Sequence, residues 1–396
     1  MSSVTTTASA RPARPTAAEP VRKDIQALRA IAVGVVILGH LWPHRMPGGR
    51  VGVDVFFVIS GFLITSHLMR RPPVTWPQLA DFWARRIRRL LPAAALVLAT
   101  SLAAAVLWLP QAMRSRAALE AAAASVYVEN WAKVWVEADP VRSAEQASPL
   151  QHYWSLSVEE QFYIVWPLLL AATIIIGRRM SKNLVPVVAL CVVAVSFLIS
   201  VYTTASAEAV GYFGTHVRMW ELAAGAALAV WVGRGFASEW HAGLRTVVSW
   251  AGLAMIAASA LFLTFDYPFP GPWAALPVLG AVLVIAADSD ATRWGGGRVL
   301  GIRPITYLGD ISYSLYLWHW PVIVIAPFAL GYELDMMHRI GILGLVLVLS
   351  VLSREFVEEK LRHQRGIVST IPRSFAMGVV CIVSVLLLAA GVAVAS

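Results

Sequence analysis

Long apolar runs recur along this chain, and they constrain its fold more than any other feature. The hydrophobic residues make up 58% of the sequence and the charged residues only 14%, against roughly 25% charged in an ordinary soluble domain. Because a bilayer requires about 20 mostly apolar residues for each helix, the sequence predicts an all-α, polytopic membrane protein. The predicted spans are 27–44, 51–69, 90–109, 160–176, 184–204, 218–233, 246–264, 273–287, 311–330, 340–352 and 375–395.

The basic residues are distributed unevenly between alternate connections of these spans. Of the 32 Lys and Arg residues, 23 lie in connections on the side of the N-terminus and eight lie on the opposite side. Because Lys and Arg concentrate on the cytoplasmic side of membrane proteins, we predict a plasma-membrane protein with a cytoplasmic N-terminus and an extracytoplasmic Ser396. The net charge of +9 then requires no nucleic-acid partner. Residues 1–24 begin with a Ser/Thr/Ala/Pro-rich stretch and are predicted to form a disordered cytoplasmic tail.

The first span carries an arginine near one end and a histidine near the other, in "RAIAVGVVILGH". Eleven residues separate Arg29 from His40, so a helix would place both on one face, roughly 16 Å apart along its axis. Ionisable residues in a span usually face the protein interior or a wet cavity. The alternative is that Arg29 reaches the headgroups and His40 only caps the helix.

A carboxylate, Asp54, lies near the start of the second span, which a short connection joins to the first. We therefore expect Asp54 and His40 at similar depth. A carboxylate bonded to one imidazole nitrogen fixes the tautomer and leaves the other nitrogen as a base. The alternative is a polar residue at a helix start that faces water.

Four arginines follow in "RRIRR", on the cytoplasmic side of the third span. Anchoring by positive charge explains part of this cluster. Guanidinium groups also bind phosphates in a bidentate manner, so the cluster predicts a phosphorylated cytoplasmic ligand. The four residues are Arg85, Arg86, Arg88 and Arg89.

Further candidates stand in three later stretches. "PLQHYWSLSVEEQFYIVWP" is expected to place His152, Glu159 and Glu160 at the outer entrance of the fourth span, and at most one of two adjacent carboxylates should point inward. "THVRMWELAAG" puts Arg218 and Glu221 one turn apart, and "YLGDISYSLYLWHWP" contains Tyr313 and His319. A lone histidine such as His319 is more often a hydrogen-bonded core residue than a catalytic one.

Taken together, these stretches resemble the acyltransferase-3 family of integral membrane O-acyltransferases. The matching residues are Arg29 and His40 at their spacing, "GVDVFFVISGFLIT", "RRIRRLLP", "WSLSVEEQFYIVWP", "RMWELAAGA" and "ISYSLYLWHWP". They occur in order over about 300 residues. One such motif would be weak evidence, whereas six in order are specific.

The resemblance implies a ten-helix core, here residues 25–366, that moves an acyl group from cytoplasmic acyl-CoA to a hydroxyl of a glycan, glycolipid or other small acceptor. Acyl-CoA, with acetyl-CoA expected, would be a co-substrate; we predict neither a tightly bound cofactor nor a metal. Catalysis is assigned to His40, Asp54 and Glu160. Donor binding is assigned to Arg29, Arg85, Arg86, Arg88 and Arg89. Acceptor binding is assigned to Trp154, Glu159, Tyr163, Arg218, Glu221, Tyr313 and His319.

The chain departs from the shorter family members at residues 367–396, which are predicted to form an additional transmembrane helix. The resemblance implies that such a helix exports a fused extracytoplasmic SGNH-type esterase domain. No Gly-Asp-Ser motif follows this span. We therefore expect either the membrane half of a longer protein, with an extracytoplasmic SGNH-type domain or partner, or a member that lost its partner domain.

Two other functional classes fit part of the sequence. A polytopic transporter or flippase would also have many spans and buried charges, although no inverted repeat is evident in the sequence. A structural protein would leave the aligned Arg29 and His40 without a role. Transfer of a labelled acyl group distinguishes the enzyme from both.

Overall fold

The computed structural model describes residues 22–137, 147–264, 266–363 and 370–396, and within these ranges every regular element is helical. The predicted tail, apart from its last residues, lies outside them. The main helices are α1 (Lys23–Leu41), α2 (Val51–Arg70), α3 (Trp76–Trp108), α4 (Gln111–Ser125), α5 (Glu129–Glu137), α6 (Tyr153–Arg179), α7 (Val185–Ser206), α8 (Glu208–Phe213), α9 (Thr215–Val232), α10 (Ala242–Phe262), α11 (Ala275–Ala287), α12 (Gly296–Leu300), α13 (Arg303–Asp310), α14 (Ser312–Leu330), α15 (Met336–Ser353) and α16 (Ile371–Ala395).

Each of the eleven predicted spans falls on a helix, which confirms an all-α, polytopic membrane protein. Among the described residues, nine helices are long and apolar enough to cross a membrane. Of the two short predicted spans, 340–352 is part of a 26-residue helix, Met336–Leu361, whereas 273–287 corresponds to the short α11. The span predicted at 218–233 corresponds to α9, whose Arg218 and Glu221 are fully buried.

Helices α2 and α9 approach each other so closely that glycine is required at their contact. A Cβ atom at Gly61 would lie 1.8 Å from the carbonyl oxygen of Leu222, and one at Gly225 would lie 2.0 Å from that of Val58. Small residues allow helix backbones in membranes to make such contacts. This contact fixes α2, which carries Asp54, directly against α9.

In its described residues, the connection between α3 and α6 contains two helices, α4 and α5. The acidic stretch that follows, 138–146, lies outside the described residues. The last helix, α16, packs against α3 and α4. Ser374 at its start accepts a hydrogen bond of 2.6 Å from Arg88, and Gly378 lies against Ile87. The predicted additional helix is therefore attached to the arginine-bearing part of α3.

Candidate active site

Two cavities in the bundle share two of their lining residues. The first, the Arg29 cavity, has a volume of about 630 Å³ and is lined by α1, α2, α3, α6 and α14. The second, the His40 cavity, has a volume of about 1040 Å³. Val53 and Tyr316 line both cavities and are called the partition here. Helix α1 thus contributes Arg29 to one cavity and His40 to the other.

The Arg29 cavity collects the five arginines that the sequence singled out. Because α3 is a continuous helix through "RRIRR", its four arginines lie within two turns and line the cavity with Arg29. Arg85 and Arg89 are exposed, whereas the other three are half-buried. The predicted residues that also line it are Glu159, Glu160, Tyr163 and Tyr313. Five guanidinium groups against two carboxylates give this cavity a positive lining.

Both carboxylates of α6 are held by neighbouring helices. Glu160 accepts a hydrogen bond of 3.1 Å from Arg86, whose guanidinium also lies 3.3 Å from the centre of the Tyr163 ring. Glu159 accepts hydrogen bonds from Ser60 of α2, at 2.5 Å, and from Tyr163. The two carboxylates therefore hold side chains of α2 and α3 at the Arg29 cavity.

Two expectations about these carboxylates are wrong. They do not lie at the entrance of the span, because α6 begins at Tyr153 and places them nearly two turns inside the helix. Nor does only one point inward: both line the Arg29 cavity, which is wide enough to be contacted by α2 on one side and α3 on the other. Glu160, assigned to catalysis, is thus on the opposite side of the partition from His40.

The His40 cavity has a different lining, made of aromatic rings, histidines and charges of both signs. Six of its aromatic residues are Trp154, Tyr212, Phe213, Tyr267, Phe269 and Trp320. Arg50 and Lys133 supply positive charge, and Glu137, Glu208 and Asp266 supply negative charge. His40 itself is exposed to this space. Rings and hydrogen-bonding groups together suit a ligand with apolar faces and polar edges.

His40 forms its hydrogen bond with a second histidine rather than with a carboxylate. Its Nδ1 lies 3.2 Å from Nε2 of His319, and the two rings are stacked with centres 5.3 Å apart. The Nδ1 of His319 lies 2.6 Å from the carbonyl oxygen of Tyr316. His319, assigned to acceptor binding by the sequence, is fully buried and contacts His40 directly.

This chain of contacts determines which nitrogens carry protons. A carbonyl oxygen only accepts, so Nδ1 of His319 must be the donor and its Nε2 must carry the lone pair in the neutral ring. His40 must then donate from Nδ1 to His319. The Nε2 of His40 is left with a lone pair, and no described residue forms a hydrogen bond with it. His40 is therefore set up as a hydrogen-bond acceptor toward the cavity.

The predicted contact between Asp54 and His40 is wrong. Asp54 accepts a hydrogen bond of 2.8 Å from Arg218, which also lies 3.0 Å from Glu221. All three side chains are at most 1% exposed and line neither cavity. The sequence had correctly placed Asp54 near the start of a helix, but a guanidinium on α9 is a far stronger partner for a buried carboxylate than a neutral imidazole. Arg218 and Glu221, assigned to the acceptor, thus lie in the core.

His152 is a residue that was not assigned a role from the sequence. Its Nε2 lies 3.1 Å from the carbonyl oxygen of Leu317, so this nitrogen donates and Nδ1 keeps the lone pair. Nδ1 has no hydrogen-bond partner although the residue is 4% exposed and lines the His40 cavity. Burial lowers the pKa of His152 to about 3, so the ring is neutral at physiological pH. The sequence feature that could have identified His152 is its position directly before the apolar helix α6.

No group of three or more His, Cys, Asp or Glu side chains arranged to hold a metal ion is found in the described part of the chain. Trp154, assigned to the acceptor, does line the His40 cavity. The assigned residues therefore divide between two spaces rather than forming one site.

Comparison with known proteins gives a consistent picture. The family model described as "Acyltransferase domain" (Acyl_transf_3) matches residues 22–355. No solved structure matches the chain. The matched region contains the residues that line both cavities, and it contains His40, His152 and His319.

Three curated relatives are informative. The chain is 29% identical to the peptidoglycan O-acetyltransferase OatA of Listeria monocytogenes and 34% identical to the putative peptidoglycan O-acetyltransferase YrhL of Bacillus subtilis; each match covers 86% of this chain and 55% of the relative. It is 33% identical to the putative membrane-bound transacylase BcsY of Komagataeibacter xylinus, over 85% of this chain and 82% of the relative. The chain thus spans about half the length of the first two.

All three relatives are named for acyl transfer, which does not favour the transporter alternative. The extent of the family match and the identity to BcsY are sufficient for assignment. The chain belongs to the acyltransferase-3 family of integral membrane O-acyltransferases.

Proposed function

We propose that this protein transfers an acetyl group from acetyl-CoA in the Arg29 cavity to a hydroxyl of a cell-envelope glycan or glycolipid in the His40 cavity. The observation that carries the proposal is the position of His40. Its Nε2 lone pair is free, its Nδ1 is bonded to His319, and the partition residues Val53 and Tyr316 line both its cavity and the cavity lined by five arginines.

The Arg29 cavity suits the charged end of the donor. Acyl-CoA carries several phosphate oxygens, and guanidinium groups bind such oxygens as two-pronged donors. Arg85, which forms an ion pair with Asp81 one turn earlier in α3, and Arg89 are exposed at this cavity, and Arg86 is paired with Glu160. The phosphates would remain with the arginines while the thioester arm extends along α1 toward His40.

The transfer itself requires one base. The acceptor hydroxyl oxygen attacks the thioester carbonyl carbon, and its proton passes to Nε2 of His40. The carbon–sulfur bond then breaks, an ester forms, and the CoA thiolate receives the proton from the imidazolium. His319 accepts the hydrogen bond from Nδ1 of His40 throughout, so that His40 keeps its orientation. Each transfer leaves His40 neutral, ready for another acceptor.

The orientation follows from the basic residues and from where the substrates occur. The cytoplasmic side would hold the N-terminus and the Arg29 cavity, since acyl-CoA is a cytoplasmic metabolite, and the His40 cavity would open to the outside. The peptidoglycan named for two relatives makes a glycan hydroxyl outside the plasma membrane the leading acceptor. An extracytoplasmic SGNH-type domain or partner would receive or pass on the acetyl group.

Membrane vesicles of defined sidedness test the proposal. Acetyl-labelled acetyl-CoA would be supplied to inverted or right-side-out vesicles, with soluble glycan fragments of peptidoglycan as the acceptor probe. We expect base-labile label on the glycan only when the donor reaches the cytoplasmic face. Loss of label in vesicles that carry His40→Ala would support the site. Uptake of glycan without acetylation would instead support a transporter.

A further inference from the structure

Tyr316 stands between the two cavities, and its hydroxyl is bonded to one residue from each. Its oxygen lies 2.5 Å from Oγ of Ser155, which lines the Arg29 cavity. It also donates a hydrogen bond of 3.1 Å to the carbonyl oxygen of His152, which lines the His40 cavity. The Oγ of Ser155 lies 3.3 Å from the same carbonyl oxygen, so either hydroxyl can be the donor in the bond between Ser155 and Tyr316. The side chain is therefore held between the two cavities by the first turn of α6 and by His152, the residue before it.

Packing holds the ring in the same place. The Tyr316 ring meets Phe56 of α2 edge-on, with ring centres 6.3 Å apart, and it is only 7% exposed. Val53, the other member of the partition, is also 7% exposed. The backbone of Tyr316 is fixed as well, because its carbonyl oxygen accepts the hydrogen bond from His319. Tyr316, which lines both cavities, thus also orients the partner of His40.

We infer that Tyr316 determines how large an acyl group the enzyme accepts, because the thioester must pass its ring to reach His40. This inference rests on the proposed function. A short acyl group needs only a small displacement of the phenol, whereas a longer alkyl chain has to occupy the space of the ring. Hydrophobic sites commonly discriminate by one methylene, and a chain several methylenes longer must displace packed aromatic atoms.

The inference can be tested by binding, without knowledge of the acceptor. The full chain is purified in detergent, and dissociation constants are measured by calorimetry for two unreactive thioethers, S-ethyl-CoA and S-hexyl-CoA. We expect the wild-type protein to bind S-ethyl-CoA at least about tenfold more tightly, and Tyr316→Ala to bind the two within about twofold of each other. Tyr316→Phe keeps the ring and loses both hydrogen bonds, so it should retain most of the preference.

The matched control is Tyr153→Phe. Tyr153 is also buried, lines neither cavity and donates its hydroxyl to the carbonyl oxygen of Ala94 at 3.0 Å. It should show the wild-type preference. If Tyr316→Ala is not monodisperse, Tyr316→Leu provides a smaller apolar side chain for the same measurement.

The outcomes are distinct. Equal preference in wild-type protein and in the small-side-chain variant would overturn the role of Tyr316 while leaving acyl-CoA binding intact. Failure of the wild-type protein to bind either thioether would overturn the proposed donor and this inference with it. A preference lost only when the ring is removed would support the inference.

Discussion

The Arg29 cavity and the His40 cavity lie against the same partition but differ in the chemistry they offer. The first is lined by five guanidinium groups, two of them exposed, and by carboxylates that restrain their neighbours. The second is lined by aromatic rings and by the imidazoles of His40 and His152, whose tautomers are set by His319 and by the carbonyl oxygen of Leu317, respectively. If the proposed function holds, the fold keeps the donor phosphates apart from the attacking hydroxyl, and α1 contributes a residue to each cavity.

Replacement of His40 by alanine should have the largest effect, because it should impair the step in the His40 cavity and leave donor binding in the Arg29 cavity intact. We expect kcat for acetyl transfer to fall by about 10²–10⁴-fold, the usual loss when a positioned base is removed, with little change in the Kd for CoA. His338→Ala is the control, since His338 bonds to Asp335 and lines neither cavity. Near-normal transfer by a folded His40→Ala protein would refute the assignment of the base.

Replacement of His319 should reveal whether the tautomer of His40 matters. We expect His319→Phe to lower kcat by about 10- to 100-fold, as observed for groups that orient metal-bound histidines, without altering the KM for acetyl-CoA. His319→Gln should recover much of the activity, because its amide oxygen can accept the hydrogen from Nδ1 of His40. If glutamine were no better than phenylalanine, His319 would serve packing alone.

The sequence was sufficient to predict the helices and to group the arginines that line one cavity. Length and apolarity determine a membrane span, so all eleven predicted runs fall on helices. The arginine cluster could be grouped because its members lie within two turns of one helix. The proximity of this cluster to Arg29 could not be predicted from helix periodicity, because Arg29 lies on a different helix. The two were grouped only because both match motifs of the same family.

The contacts of His40 could not be predicted from the sequence. Depth in the membrane follows from position along a span, but the direction of a side chain depends on how neighbouring helices are rotated. His40 and His319 are 279 residues apart, and Asp54 and Arg218 are 164 residues apart. Pairing Asp54 with His40 used depth alone, and it missed the stronger partner on a helix far along the chain.

Conservative changes in the Arg29 cavity should have the smallest effect. We expect the double variant Arg85→Lys/Arg89→Lys to raise the KM for acetyl-CoA by about tenfold, or roughly 1.4 kcal/mol, since lysine keeps the charge but loses the bidentate geometry. The control is Arg178→Lys/Arg179→Lys, because these two arginines lie in the last turn of α6 and line neither cavity. An unchanged KM would indicate that Arg85 and Arg89 only anchor the protein at the membrane surface and do not bind the donor.

Asp54 and Arg218 are made at different times, because 164 residues separate them in the chain. On a ribosome that adds about 5–20 residues per second, α2 would wait roughly 8–33 s for its partner on α9 to be synthesised. An ionisable side chain without a partner is costly in lipid. We therefore expect α2 to remain beside the translocon or another insertion factor until α9 arrives. The speed of translation between these helices then becomes a determinant of how much functional protein a cell obtains.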